Sequence, residues 1–167
     1  GKIIIRTGGS SQGHSRETAF AQIAADILGC DMDNITVICG DTKHCPEGIG
    51  ALASRSTAIG GSAVVKAVRA VLELSGGSLA PDERVEYSCT YEADGEAWGY
   101  GCYLAYVTID SATGQMQIEK LDCLDDAGFI VNPSMVEGQI HGGIAQGIGE
   151  VMMERLVYDG DGQLITG

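Results

Sequence analysis

The sequence predicts an α+β fold: a mixed sheet with long helices packed on one side. Three observations carry this. Some segments repeat apolar residues at helical spacing, others are β-branched or aromatic at strand spacing, and the two kinds mix along the chain without a tandem repeat or low-complexity linker. The 167 residues, 44% hydrophobic and 20% charged, suit a single domain, or a fragment of one, with a usable core.

Each element has its own signal. Residues 2–6, "KIIIR", predict a strand. Residues 17–29, "ETAFAQIAADILG", set Phe20, Ile23, Ala24, Ile27 and Leu28 on one helical face, and Gly29 supplies the stop. Residues 34–39, "NITVIC", predict a second strand. Helical spacing returns over 57–74, where Ile59, Ala63, Val64, Ala67, Val71 and Leu74 form a face, and "GGSLAPDE" then breaks the chain. "RVEYSCTYEA" (84–93) and "YGCYLAYVTID" (100–110) predict strands, and "SATG" joins the second to "QMQIEKLDCLDDAG" as a hairpin. A last helix is expected over about 133–154, followed by a short two-strand tail turning at "DGDG".

A formal charge of −13 would repel a phosphate backbone or an anionic membrane surface, so neither nucleic acid nor membrane is an expected partner. No apolar run is long enough for a bilayer and the amino end has no signal-peptide pattern, so a cytoplasmic protein is expected. The chain starts without an initiator Met and stops abruptly, which suggests a piece of something longer. Six cysteines include no C-x-x-C pair, which removes zinc and iron–sulfur spacing. In a cytoplasmic chain they read as small buried hydrophobes rather than a disulfide framework. Cys45 stands apart because it lies in a glycine-rich loop, as a structural thiol or a functional one. His14, His44 and His141 are too far apart in sequence to suggest a metal set.

Two stretches point to ligand binding. "GDTKHCPEGIGALASRSTAIGG" (40–61) and "RTGGSSQGHSRET" (6–18) are small and polar, and each feeds a helix. Backbone N–H groups and hydroxyls at a helix's positive end make a cradle for an anion or phosphate, and N-capping by Ser or Thr is the competing explanation. Neither stretch is a P-loop or a dinucleotide fingerprint. The last helix carries Gly138, Gly142, Gly143, Gly147 and Gly149, each costing about 1 kcal/mol relative to Ala. Tight packing against another element, or close approach by a flat ligand, would compensate.

The blocks "SSQGHSRETAFAQIAADILG", "ITVICGDT", "PEGIGALASRSTAIGGSAV" and "VTIDSATGQMQIEKLDCLDDAGFIVNPSMVEGQIHGGIAQGIGE" together resemble the carboxy-terminal part of the molybdopterin-binding large subunit of the xanthine dehydrogenase and aldehyde oxidase family, which includes carbon monoxide dehydrogenase. The resemblance covers nearly the whole chain and implies a molybdenum-cofactor-binding-domain-like fold. It assigns Ala53, Ser54, Arg55 and Ser56 to the turn along the pterin and its phosphate, and Gln139 to a hydrogen bond with the cofactor. In the first turn, relatives read like S-Q-G-Q-G-H-E-T. An ungapped alignment puts His14 and Ser15 at the second Gln-Gly pair, whereas a two-residue insertion would make Gln12 and Gly13 that pair. His14 then either donates to the cofactor, marks a changed metal site, or is a solvated loop histidine.

The resemblance also implies a molybdenum–molybdopterin cofactor, the cytosine dinucleotide form included, and hydroxylation of a small-molecule substrate with oxygen from water. Iron–sulfur and FAD centres are expected only on partner domains or subunits, with the rest of the molybdopterin subunit as a further partner in an oligomer. The family's catalytic glutamate lies beyond the matched blocks, so no catalytic residue is assigned and the fragment alone is expected to be inactive. A non-catalytic scaffold that keeps the fold without the metal is the other reading.

Overall fold

In a computed structural model that describes residues 2–80 and 84–166, the α+β expectation holds. The pairing is both parallel and antiparallel, divided between two two-stranded sheets rather than joined in one. The chain forms two compact units, Gly1–Asp126 and Ala127–Gly167.

The first unit opens with a β-α-β arrangement. β1 (Ile3–Arg6) pairs in parallel with β2 (Ile35–Ile38), and α1 (Arg16–Leu28) connects them. A parallel pair needs such a crossover because a tight turn can only reverse direction. Gly29 ends α1 in the left-handed region at φ 62°, its N–H on the Ala25 carbonyl, as the sequence predicts. The core sits on one face of α1. Ala19, Phe20, Ala21, Ala24 and Ala25 are buried there with Ile35 of β2 and Val64 and Val68 of α2 (Ser62–Leu74).

Small residues let these elements approach. Phe20 is the one fully buried large side chain among the described residues; removing its ring from water stabilises by roughly 1.5–3 kcal/mol. It fits because Gly60 has no Cβ, which would otherwise lie 2.7 Å from Phe20 Cζ. The helix predicted over 57–74 enters through a π-helical turn, Ser56–Gly61, before becoming α2. Such turns are wider than an α-turn and are frequent at functional sites.

The strand expected over 84–93 is absent: no residue there is in a strand. Instead Lys66 Nζ donates to the Thr90 carbonyl at 3.0 Å and Cys89 Sγ to the Ala63 carbonyl at 3.6 Å, fastening the segment to α2 through side chains. The predicted hairpin does form. β3 (Tyr100–Ile109) and β4 (Met116–Asp126) pair antiparallel with a register shift at Tyr106/Val107. Its turn is closed by Gly114 at φ 73°, whose N–H donates to the Asp110 carbonyl at 2.7 Å. Every residue of β3 is exposed.

The second unit is built on α3 (Pro133–Met152). Asn132 caps it by accepting the Met135 N–H at 3.1 Å, and Pro133 takes the first position, where a missing N–H is harmless. The predicted tail reduces to one bridge, Tyr158 with Leu164. No residue of α3 is buried, and a Cβ added at Gly138, Gly142, Gly143 or Gly147 meets no described atom within 4 Å. Packing against the described residues of the second unit is therefore not what these four glycines serve. No helix among the described residues is long and apolar enough to cross a membrane.

Candidate cofactor site

The two small-residue stretches become two loops, 7–15 before α1 and 39–55 before the π turn, and the fold lays one against the other. The β1–β2 pairing brings their starts together, and the Thr7 N–H continues it onto the Ile38 carbonyl at 3.0 Å. Further along, the two backbones touch. A Cβ at Gly8 would lie 2.5 Å from the Glu47 carbonyl oxygen, and one at Gly48 would lie 2.5 Å from that of Gly8. Only glycine fits at either position.

At the far end the loops meet through side chains. His14 Nε2 lies 3.2 Å from Ser56 Oγ, and Arg16 Nη2 donates to the same oxygen at 3.3 Å. The Gln12 backbone N–H donates to His14 Nδ1 at 3.3 Å. Assigned from the Gln12 contact, the neutral imidazole takes Nδ1 as acceptor and carries its proton on Nε2, so His14 donates to Ser56 and the 3.5 Å approach of Arg16 Nη2 to Nε2 is a contact rather than a hydrogen bond. With that tautomer Ser56 Oγ accepts twice and keeps its own hydroxyl proton to donate. His14 is half-buried, with both ring nitrogens engaged inside the protein.

The backbone around this junction is strained. Ser15, Ala53 and Ser54 adopt φ 59°, 51° and 53° without being glycine, a conformation that costs roughly 1–2 kcal/mol per residue. Ser54 in the left-handed region is followed by Arg55 in the right-handed one, at φ −87°. That alternation gathers successive N–H groups into one anion-binding concavity. Ala53 and Ser54 are exposed, Arg55 and Ser56 half-buried. Gln12 and Gly13 are exposed, with Gly13 at φ 80°.

Arg16 was not a candidate from the sequence, yet it underlies this junction. It is 4% exposed and its Nε and Nη1 have no hydrogen-bond partner. Gly9 makes room for it: a Cβ there would lie 2.1 Å from Nη1. The legible signal was a cation at the first position of a helix, where the macrodipole disfavours it. Beside it, Glu17 accepts from Ser11 Oγ at 3.1 Å and from Cys39 Sγ at 3.3 Å. A backbone hydrogen bond, helped by these donors and the Arg16 charge, holds the Glu17 carboxyl below its ordinary value.

The remaining candidates lie elsewhere. Gln139 is exposed on α3, in the second unit, and so is His141. His44 Nδ1 pairs with Asp41 Oδ2 at 2.6 Å on the exposed side of its loop. The half-buried Cys45 thiol donates to the Ile38 carbonyl at 3.3 Å, which makes it a structural loop thiol. Among the described residues no group of His, Cys, Asp and Glu could hold a metal directly.

A cofactor with an anionic tail fits these residues, because a glycine-lined cradle, a serine hydroxyl and a buried guanidinium with two unpartnered nitrogens and, among the described residues, no carboxylate within 4 Å lie together. Comparisons with known proteins give the family. The molybdopterin cofactor-binding domain family matches residues 1–76 and 74–167. The gamma subunit of the 6-hydroxypseudooxynicotine dehydrogenase complex of Paenarthrobacter nicotinovorans is 32% identical over 210 residues, covering 99% of this chain and 26% of its own. The carbon monoxide dehydrogenase large chain of Hydrogenophaga pseudoflava is 30% identical over 211 residues, with the same coverage. The crystal structure of quinoline 2-oxidoreductase from Pseudomonas putida 86 superposes with a TM-score of 0.87 at 29% identity, covering 99% of this chain and 27% of that one. The chain thus spans about a quarter of the length of the relatives it matches. It belongs to the molybdopterin cofactor-binding domain family, in the form found in carbon monoxide dehydrogenase large chains and xanthine dehydrogenase-type molybdenum-binding subunits.

Proposed function

We propose that these 167 residues hold one side of a molybdenum–molybdopterin cofactor within a larger molybdenum hydroxylase. The observation that carries this reading is the meeting of the two loops at His14, Ser56 and Arg16, over a buried guanidinium whose Nε and Nη1 have no hydrogen-bond partner. When bound, the cofactor supplies the two-electron oxidation that places a water-derived oxygen on a substrate carbon. The chain's own residues position it. Gly8, Gly9 and Gly48 keep the loops close, the turn Ala53–Ser56 offers N–H groups and the Ser56 hydroxyl to the pterin's phosphate end, in the simple or the cytosine dinucleotide form, and Gln139 contributes from α3. Gln12 and Gly13 offer an exposed, unhindered backbone, and His14 acts by orienting Ser56.

The substrate is a small electron-poor molecule such as an N-heteroaromatic or an aldehyde, and the general base belongs to the rest of the subunit. Iron–sulfur and flavin partners carry the electrons away. On this reading the chain is the carboxy-terminal portion of a molybdopterin-binding domain and has no turnover by itself. The scaffold reading draws on one observation, that both His14 nitrogens have partners within the chain. Pterin released from the complete subunit and read by fluorescence decides between the two: the cofactor reading predicts pterin in every preparation, and its consistent absence favours the scaffold.

A further inference from the structure

We infer that Arg16 is the buried countercharge of this site, set beneath the loop junction to hold a phosphate-class oxyanion at Ser56. The inference rests on the proposed function for the identity of the ligand, though not for its charge.

The argument starts from an imbalance. Arg16 is the first residue of α1, 4% exposed. A cation there faces the positive end of the helix macrodipole, and burial removes the water that would otherwise solvate it. Buried guanidinium groups are ordinarily matched by a carboxylate and a full set of hydrogen bonds. Here Nε and Nη1 have neither, and among the described residues no carboxylate lies within 4 Å of the group. Its direct contacts are neutral: the Phe20 ring at 5.9 Å, Ser56, His14 and the backbone at Gly9; the neighbouring Glu17 carboxylate feels its charge without pairing with it. The chain has gone to some length to keep it there. Gly9 is bare where any Cβ would strike Nη1, and Ser15, directly before the helix, is strained at φ 59° with no side-chain cap.

An oxyanion answers the imbalance of charge. Arg16 Nη2 already donates to Ser56 Oγ, and with His14 donating to the same oxygen the Ser56 hydroxyl proton is the one donor left at this junction. An oxyanion accepting that proton completes a chain from anion to hydroxyl to guanidinium, and its charge offsets both the cation and the helix end. Arg16 is then a positioning residue that acts through Ser56. The planar fork matters as well as the charge, because a single guanidinium edge must meet Ser56 while the rest stays packed at Gly9 and Phe20.

The test uses the complete natural subunit, prepared free of cofactor, as wild type and as Arg16→Gln, Arg16→Met and Arg16→Lys. Inorganic pyrophosphate is the probe, followed by calorimetry and thermal melting, and pterin content is measured on the wild-type holoprotein. Wild type should bind pyrophosphate and melt higher in its presence. Arg16→Gln and Arg16→Met should bind at least ~10-fold more weakly and show no such rise, while melting no lower than wild type without the anion, since they remove an uncompensated buried charge. Arg16→Lys should recover part of the affinity. Wild-type affinity in both neutral variants overturns the inference, and so does loss of folding in both without any anion, which would make Arg16 structural. The two readings separate cleanly. Pterin in the holoprotein with unchanged pyrophosphate binding in the variants sinks the Arg16 role alone. Arg16-dependent pyrophosphate binding in a protein that never carries pterin keeps the Arg16 role and sinks the cofactor assignment.

Discussion

At the scale of single residues, the site is defined by what is missing as much as by what is there. Gly48→Ala would put a methyl 2.5 Å from the Gly8 carbonyl oxygen, where backbone must move. It should destabilise the complete subunit by roughly 1–3 kcal/mol in thermal melts and lower pterin retention. Gly50→Ala is the control: its Cβ would meet only Ser10 Oγ at an ordinary 3.6 Å, so stability should stay within about 0.5 kcal/mol. The sequence made part of this visible. The turn at Ala53–Ser56 and the loop at Gln12–His14 stood out by composition, but their meeting did not, because His14 and Ser56 are 42 residues apart and only the β1–α1–β2 crossover joins them. The strain was equally hidden. Glycine is the usual sequence sign of a left-handed residue, and Ser15, Ala53 and Ser54 hold that conformation without it.

Among the elements, those with a periodic pattern and a partner in space were legible, and those lacking a partner were not. Residues 84–93 have strand composition, yet strand propensity expresses fit to a neighbouring strand, and here Lys66 and Cys89 tie the segment to α2 instead. The β3–β4 hairpin, by contrast, has pairing on both strands and a cross-strand clasp, in which the Tyr103 hydroxyl donates to Asp125 Oδ2. That hydrogen bond raises the Tyr103 pKa from 10.0 to about 12. The folded hairpin therefore holds a proton that the unfolded chain releases, so the clasp contributes fully below about pH 10 and is lost as pH rises toward 12. Ultraviolet titration should find one tyrosine ionising late, and Tyr103→Phe should remove that step; a late step that persists in the variant would assign it elsewhere. In α3, a Cβ at Gly138, Gly142, Gly143 or Gly147 would meet no described atom of its own unit within 4 Å. Gly142→Ala should raise helix stability by about 1 kcal/mol if that face is free. We expect the opposite in the complete subunit, a lower melting temperature, because something outside these residues uses the space. A rise would contradict this.

For the whole molecule, the notable surface feature is a set of large apolar side chains left exposed. Phe129 is 92% exposed, Met153 81% and Leu124 76%, and such surface in water drives association. The 167-residue chain alone should self-associate in light scattering, and a clean monomer would show that this surface is tolerated in water. The α+β class was legible because it depends on local patterns repeated along the chain. The division of the pairing into two small sheets was not, since it depends on which strands find neighbours. The central claim, that this arrangement holds molybdopterin, is met most directly by the molybdenum content of the complete subunit purified from its own host. About one molybdenum per copy is the predicted result; repeated preparations of folded subunit with no molybdenum would contradict it.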